Sequence, residues 1–290
     1  VSLCNEIFAD RKPMVVLVAQ PPLNARLLAE VTYVEDDCKI VYNNDYIVIN
    51  DCQIFSGGLF SAKDAGIGSK AEKVFERLHE ILKTEGFAIN DIVRQWNYIE
   101  NIAVKNDGSQ NYQEFNDARS IFYSSCDWPG GYPAATGIGT SAGGVMVELC
   151  AISGNGITNK PIDNPLQIAA HSYSQSVLDG KVIETLTERT TPKFERARLL
   201  DSTIYISGTA AIKGEESNSS TCAAEQTAET MEIMDKLVSR ENIPVVNEGS
   251  SYDILRVYVK RTSDIAAVKA FMEEHYPAVD KYYLVADICR

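Results

Sequence analysis

The sequence predicts an α+β protein of two tandem units in which mixed β-sheets pack on helices. Three observations lead there. The chain has 290 residues, enough for two domains at about 150 residues each. An apolar strand pattern running into Ser-Gly occurs twice, as Gln53-Ile54-Phe55-Ser56-Gly57 and as Thr203-Ile204-Tyr205-Ile206-Ser207-Gly208. Each copy is followed by the same series of helix-like and strand-like patterns, the mark of a duplicated unit.

After the first Ser-Gly, Val74, Leu78, Ile81 and Leu82 fall at i, i+4, i+7 and i+8, an amphipathic helical stripe. After the second, Thr230, Met234, Leu237 and Val238 fall the same way. Strands follow with matching letters, Asp91-Ile92-Val93-Arg94-Gln95-Trp96-Asn97-Tyr98 and Asp253-Ile254-Leu255-Arg256-Val257-Tyr258-Val259-Lys260. Second helices are expected from Tyr112 to Tyr123 and from Asp264 to Tyr276, and closing strands from Tyr132 to Ile138 and from Tyr282 to Ile288. In the first unit the chain turns at Gly143-Gly144 and returns as Val145 to Ile152, an alternating strand pattern. No counterpart follows Arg290, so one strand of the second unit is expected to be missing or supplied by another chain, because an open edge is a liability. The expected boundaries are residues 1–155 for the N-terminal unit, 156–189 for an Asn-, Gly-, Pro- and Ser-rich linker, and 190–290 for the C-terminal unit.

Composition narrows the function. With 45% hydrophobic and 23% charged residues the chain reads as globular, with matter for a core. A net charge of −13 argues against a nucleic-acid surface, which needs clustered Lys and Arg. Any anionic ligand must then be captured by local cations against the overall field. The cysteines at 4, 38, 52, 126, 150, 222 and 289 are odd in number and contain no C-x-x-C. That speaks against disulfides or zinc and for a reducing, cytoplasmic location. His79, His171 and His275 stand apart, so no metal and no cofactor are expected. No apolar run reaches the ~18 residues of a membrane span, and no signal peptide is visible. The first residue is Val, which reads as a trimmed or incomplete start.

Four segments could carry chemistry. Period-2 alternation puts Arg94, Trp96 and Tyr98 on one strand face, which suits a pocket for a cyclic anion or an Arg that snorkels to water. Tyr112, Phe115, Asn116 and Arg119 share one helical face, aimed at a ligand or lying at the surface. The small residues of Gly131 to Gly139 let another backbone or a ligand approach closely. Ser207-Gly208-Thr209 can offer backbone N–H groups to a carboxylate or can form an ordinary turn. No nucleophile elbow, Walker loop or dinucleotide fingerprint occurs.

The segment from Ser207 to Ser217, with Gln226, Thr227, Glu229, Thr230 and the late Asp287-Ile288-Cys289-Arg290, resembles the catalytic half of RidA-like (YjgF-like, endoribonuclease L-PSP-like) proteins. Arg94-x-Trp96-Asn97-Tyr98, Tyr112-x-x-Phe115-Asn116-x-x-Arg119, the run from Tyr132 to Gly139, and Phe194-Glu195-Arg196-Ala197 are more specific. Together, over about residues 25 to 290, they resemble the chorismatase family. The resemblance implies two RidA-like (chorismate mutase-like) units. It also implies cleavage of the enolpyruvyl ether of chorismate, releasing pyruvate and a dihydroxycyclohexadiene carboxylate or a hydroxybenzoate. The partner would be a small anion. A trimer-like homo-oligomer is possible by analogy with RidA relatives.

For such a substrate the expected binding residues are Arg94, Arg119 and Arg290 as carboxylate anchors and Tyr98 and Tyr258 as hydroxyl donors. Gly208, Thr209 and Lys260 join them, although the family often carries Arg at the Lys260 position. The family acid is a Glu on the last strand, expected beyond Arg290, leaving the catalytic residue unknown in this sequence. Glu215 is a weak substitute, and Glu148, the unit-one counterpart, reads as an exposed strand residue. Alternative activities are a RidA-type enamine/imine deaminase and a non-catalytic small-ligand-binding protein.

Overall fold

The computed structural model describes residues 14–23, 25–35, 37–154, 156–247 and 252–289. In the N-terminal half, β1 (Ile40–Tyr42), β2 (Tyr46–Ile49), β3 (Gln53–Ser56) and β4 (Leu59–Ser61) precede helix α1 (Ile67–Glu85). Then come β5 (Ile92–Glu100), a short β6–β7 hairpin at Lys105–Asn106 and Ser109–Gln110, helix α2 (Asn111–Tyr123), β8 (Ala134–Thr140) and β9 (Val145–Ile152). The sheet runs β1-β2-β3-β9-β5-β8, with β4 also on β9. Only β5 and β8 run parallel in it.

The expected stripe forms α1. Val74, Leu78, Ile81 and Leu82 are buried together with Ile67, Ala71 and Phe75. Gly86 ends the helix at φ 77°, its N–H reaching the carbonyls of Leu82 and Lys83, a left-handed stop suited to glycine. One face of the sheet packs Ile92, Ile99, Val145, Val147 and Leu149 against α1 and α2. A bulge between Ile92 and Arg94 interrupts the β5–β9 ladder. It sends Ile92 to the helix side and Arg94 to the other, the re-aiming that bulges provide. On that other face Arg94, Trp96 and Tyr98 pair in register with Cys150, Glu148 and Met146 of β9 and with Ala134, Thr136 and Ile138 of β8.

The C-terminal half covers this face. Strands β10 (Asn159–Ile162), β11 (Ala197–Leu200) and β12 (Thr203–Ile206) form one antiparallel sheet. A small β13–β14 pair (Ile212–Lys213, Glu216–Ser217) follows, then helix α3 (Ala223–Leu237), β15 (Ile254–Val259), helix α4 (Ile265–His275) and β16 (Asp280–Val285), parallel to β15. Leu255, Val259, Val268, Met272 and Met231 form its main core. The outer edge of β8 is occupied by this half. Gly139 N–H donates to the Asp287 carbonyl at 2.8 Å, Glu195 N–H to that of Pro133 at 3.1 Å and Gly208 N–H to that of Ala135 at 3.1 Å. A Cβ on Gly139 would lie 2.7 Å from Asp287 Cβ, so the small residue permits the close backbone approach.

In the first half β9 fills the space between β3 and β5. Among the described residues of the second half no strand lies between β12 and β15. The helix behind them records this. Of the expected stripe, Leu237 is buried and Thr230, Met234 and Val238 are only half-buried; Met231 and Ile233 are the other buried positions of α3. No helix among the described residues is long and apolar enough to cross a membrane.

Candidate active site

Between the inner face of β5–β8 and the C-terminal half lies a cleft of ≈ 2110 Å³. Arg94 and Trp96 of β5, Thr136 of β8, and Tyr112, Asn116 and Arg119 of α2 line one side. Gly208, Thr209, Arg256 and Tyr258 line the other, and Tyr173, Val177, Leu178 and Asp179 line it further with Phe194 and Arg196. The stretch expected to be a linker therefore supplies both strand β10 and part of the cleft wall.

Three arginines are buried against this cleft: Arg94 5% exposed, Arg119 1% and Arg196 5%. Arg94 Nη2 donates to Thr136 Oγ1 at 2.7 Å. Arg119 Nη2 donates to Asn116 Oδ1 at 2.6 Å. Arg196 Nη2 donates to the Tyr173 hydroxyl at 2.7 Å and to the Ile168 carbonyl. The Nε atoms of Arg119 and Arg196 have no partner among the described residues. None of the three is ion-paired with a carboxylate among the described residues. Burying a cation without a counter-charge is costly, so this triad is built to receive anions. Burial and the nearby Arg256 push the Arg94 pKa down to about 9. Arg198, also buried, differs: it spends its donors on the carbonyls of Gly130, Gly131 and Tyr132 and on Asn159 Oδ1, fixing the approach to β8.

The guanidiniums of Arg94 and Arg256 each sit 4.0 Å from the centre of the Trp96 ring. Arg256 is paired with Glu30. Burial alone would lower Arg256, but the Glu30 carboxylate and the phenols of Tyr98 and Tyr282 raise it. Glu148 faces the same layer. It is half-buried rather than exposed, because the C-terminal half covers its face, and burial raises its pKa against the pull of Arg256. Lys193, over the Tyr132 ring, is lowered by burial and by Arg119.

Of the residues expected from sequence, Arg94, Arg119, Gly208, Thr209, Glu215, Tyr258 and Lys260 line the one cleft. Lys260 is exposed at its rim and 3.5 Å from Asp287. Tyr98 does not line the cleft; it is buried with Ile138 and Ala286, and burial raises its phenol. Glu215 is engaged, accepting from the backbone N–H of Ser174 at 2.7 Å and from its hydroxyl at 2.6 Å. Arg290 lies outside the described residues. Arg196 and Arg256 were not expected as site residues. The repeat pointed to Arg256, which matches Arg94 letter for letter; Arg196 had only its motif. No group of three or more His, Cys, Asp or Glu among the described residues could hold a metal.

Residues 30–151 match the family described as chorismatase FkbO/Hyg5-like, N-terminal. A 3-hydroxybenzoate synthase of Streptomyces hygroscopicus is 29% identical over 222 residues, 71% of this chain and 62% of the relative. A chorismatase of Streptomyces rapamycinicus is 28% identical over 232 residues, 75% of this chain and 63% of the relative. The chain thus spans under two thirds of the length of these relatives. A crystal structure of a chorismatase superimposes with a TM-score of 0.72 at 23% identity, covering 87% of this chain and 76% of that one. Residues 30–151 thus resemble the N-terminal part of FkbO/Hyg5-like chorismatases, and the chain shares the chorismatase fold over most of its length.

Proposed function

We propose that the cleft binds chorismate and that the protein, in its complete form, cleaves the enolpyruvyl ether to release pyruvate. Addition of water gives a dihydroxycyclohexadiene carboxylate; aromatisation without net water gives a hydroxybenzoate. The carrying observation is the triad Arg94, Arg119 and Arg196, buried and without carboxylate partners among the described residues. A dianion on a six-membered ring needs two cationic anchors in a pocket shielded from water, and Arg presents a planar fork to each carboxylate. Gly208 and Thr209 would meet the substrate along the β12 end and Tyr258 along β15, with Lys260 contributing charge from the rim.

The reaction protonates the terminal methylene of the enolpyruvyl group, and the ether carbon–oxygen bond then breaks. Fixed guanidiniums hold the ring while charge moves, an arrangement that costs no reorganisation in the transition state. A cytoplasmic location and a small anionic substrate belong to the same reading, as does self-association of the trimer kind. The test is direct: the protein is incubated with chorismate and pyruvate is assayed. Release of pyruvate, reduced by Arg94→Ala, is expected; no pyruvate at any pH would end the proposal.

A further inference from the structure

Arg94 and Arg256 follow the same letters in the two units, Asp-Ile-Val and Asp-Ile-Leu. Both guanidinium carbons lie 4.0 Å from the Trp96 centroid. Their partners differ. Arg94 has no carboxylate among the described residues. Arg256 donates to both oxygens of Glu30, from Nε at 2.8 Å and from Nη2 at 2.5 Å, and the Tyr282 hydroxyl donates to the same carboxylate. A guanidinium fork with an added phenol is how proteins hold carboxylate ligands.

The carboxylate that fills this fork is loosely carried. Residues 25–35 contain no helix or strand. With the described residues, 25–34 make no hydrogen bond other than those of Glu30. Around it Leu27, Leu28, Val31 and Tyr33 are exposed. A segment with few buried contacts and one anchoring pair opens locally at low free-energy cost. When it opens, Arg256 is left as a further uncompensated cation in the cleft, beside Arg94.

We propose that Arg256 and Tyr282 form a second carboxylate-binding site of the cleft, and that Glu30 is its displaceable internal occupant. A small carboxylate that takes Arg256 releases the strap of residues 25–35; the strap in turn competes with carboxylates for that position. The proposal does not depend on turnover of chorismate, since it concerns any carboxylate that reaches Arg256.

The probe is benzoate, and the first readout is tryptic cleavage after Arg26 in the full chain. Benzoate is expected to raise that cleavage on the order of tenfold in the wild-type protein. Glu30→Gln should cleave at the high rate without ligand and bind benzoate on the order of tenfold tighter by calorimetry, the change a lost hydrogen-bonded ion pair brings. In Arg256→Gln the cleavage should be fast and indifferent to benzoate. Wild-type cleavage unaffected by any concentration of benzoate, or equal affinity in wild type and Glu30→Gln, overturns the proposal. The wild-type measurement decides the matter alone if a variant fails to fold.

Discussion

The guanidinium carbons of Arg94 and Arg256, two residues that each follow an Asp-Ile pair after one intervening residue, both lie 4.0 Å from the centre of the Trp96 ring. Each is attracted to the ring, and each repels the other. The fold thus brings like charges together on the wall of the cleft, where an anion relieves them. One receives a carboxylate from Glu30; the other awaits a ligand.

Arg94→Ala and Arg119→Ala are each expected to weaken binding of an aromatic dicarboxylate by about 1.5–3 kcal/mol, the range for hydrogen bonds to charged groups. Isothermal calorimetry checks this. No change in either variant would remove that residue from the site.

Arg94→Met is expected to stabilise the ligand-free protein by about 1 kcal/mol or more while abolishing its contribution to anion binding, because a buried unpaired charge is exchanged for packing. Urea denaturation at pH 7 with and without ligand reads both halves. A ligand-free variant less stable than wild type would contradict it.

The same charge sets a pH dependence. The folded-state pKa of Arg94 is pushed down to about 9, whereas the unfolded chain keeps that proton to higher pH. Above about 9 the unfolded state binds more protons than the folded one, so stability attributable to Arg94 rises with pH. The cost of the charge is present in full below that point. The stability gap between Arg94→Met and wild type should therefore narrow above pH 9, and wild-type anion affinity should fall over the same interval. A gap constant from pH 7 to pH 11 would disprove the assignment.

Glu148→Gln removes a negative charge whose burial already raises its pKa. Dicarboxylate affinity should increase by about threefold or more, a like-charge effect at intermediate dielectric. Unchanged affinity would place the Glu148 field outside the ligand's reach.

Gly139→Ala places a Cβ 2.7 Å from Asp287 Cβ, 2.8 Å from Ile102 Cγ2 and 2.9 Å from the Asp287 carbonyl. It should destabilise the protein by about 1–3 kcal/mol, as overpacking does, by prising the C-terminal half from the β8 edge. Chemical denaturation tests this against Gly130→Ala, whose Cβ would come no closer than 3.9 Å to Arg198 Nη2.

Strong periodicity made much of the fold legible. The helix carrying Val74, Leu78 and Ile81 and the strand carrying Arg94, Trp96 and Tyr98 were visible because their burial pattern is local. Strands β1, β2, β10 and β11 were not read, being three or four residues long and stabilised by pairing at a distance. In the site, Arg94 and Arg119 stood out as cations on aromatic faces. Tyr98 lies on the predicted side of β5, yet its ring is walled off by Ile138 and Ala286, a packing outcome that strand alternation does not encode. Glu30 was invisible for a related reason: its partner is 226 residues away, and its own neighbourhood has no period to read.

The indole beside two guanidiniums has a practical consequence. The chain contains two tryptophans, and the other, Trp128, is occupied with the Tyr123 carbonyl and the rings of Tyr123 and Tyr132. Trp96 has both guanidinium carbons 4.0 Å from its ring centre, so its emission wavelength is an intrinsic gauge of the local field. Titrating an anion into a Trp128→Phe background would let the protein's own fluorescence report when the cleft fills, without any attached dye.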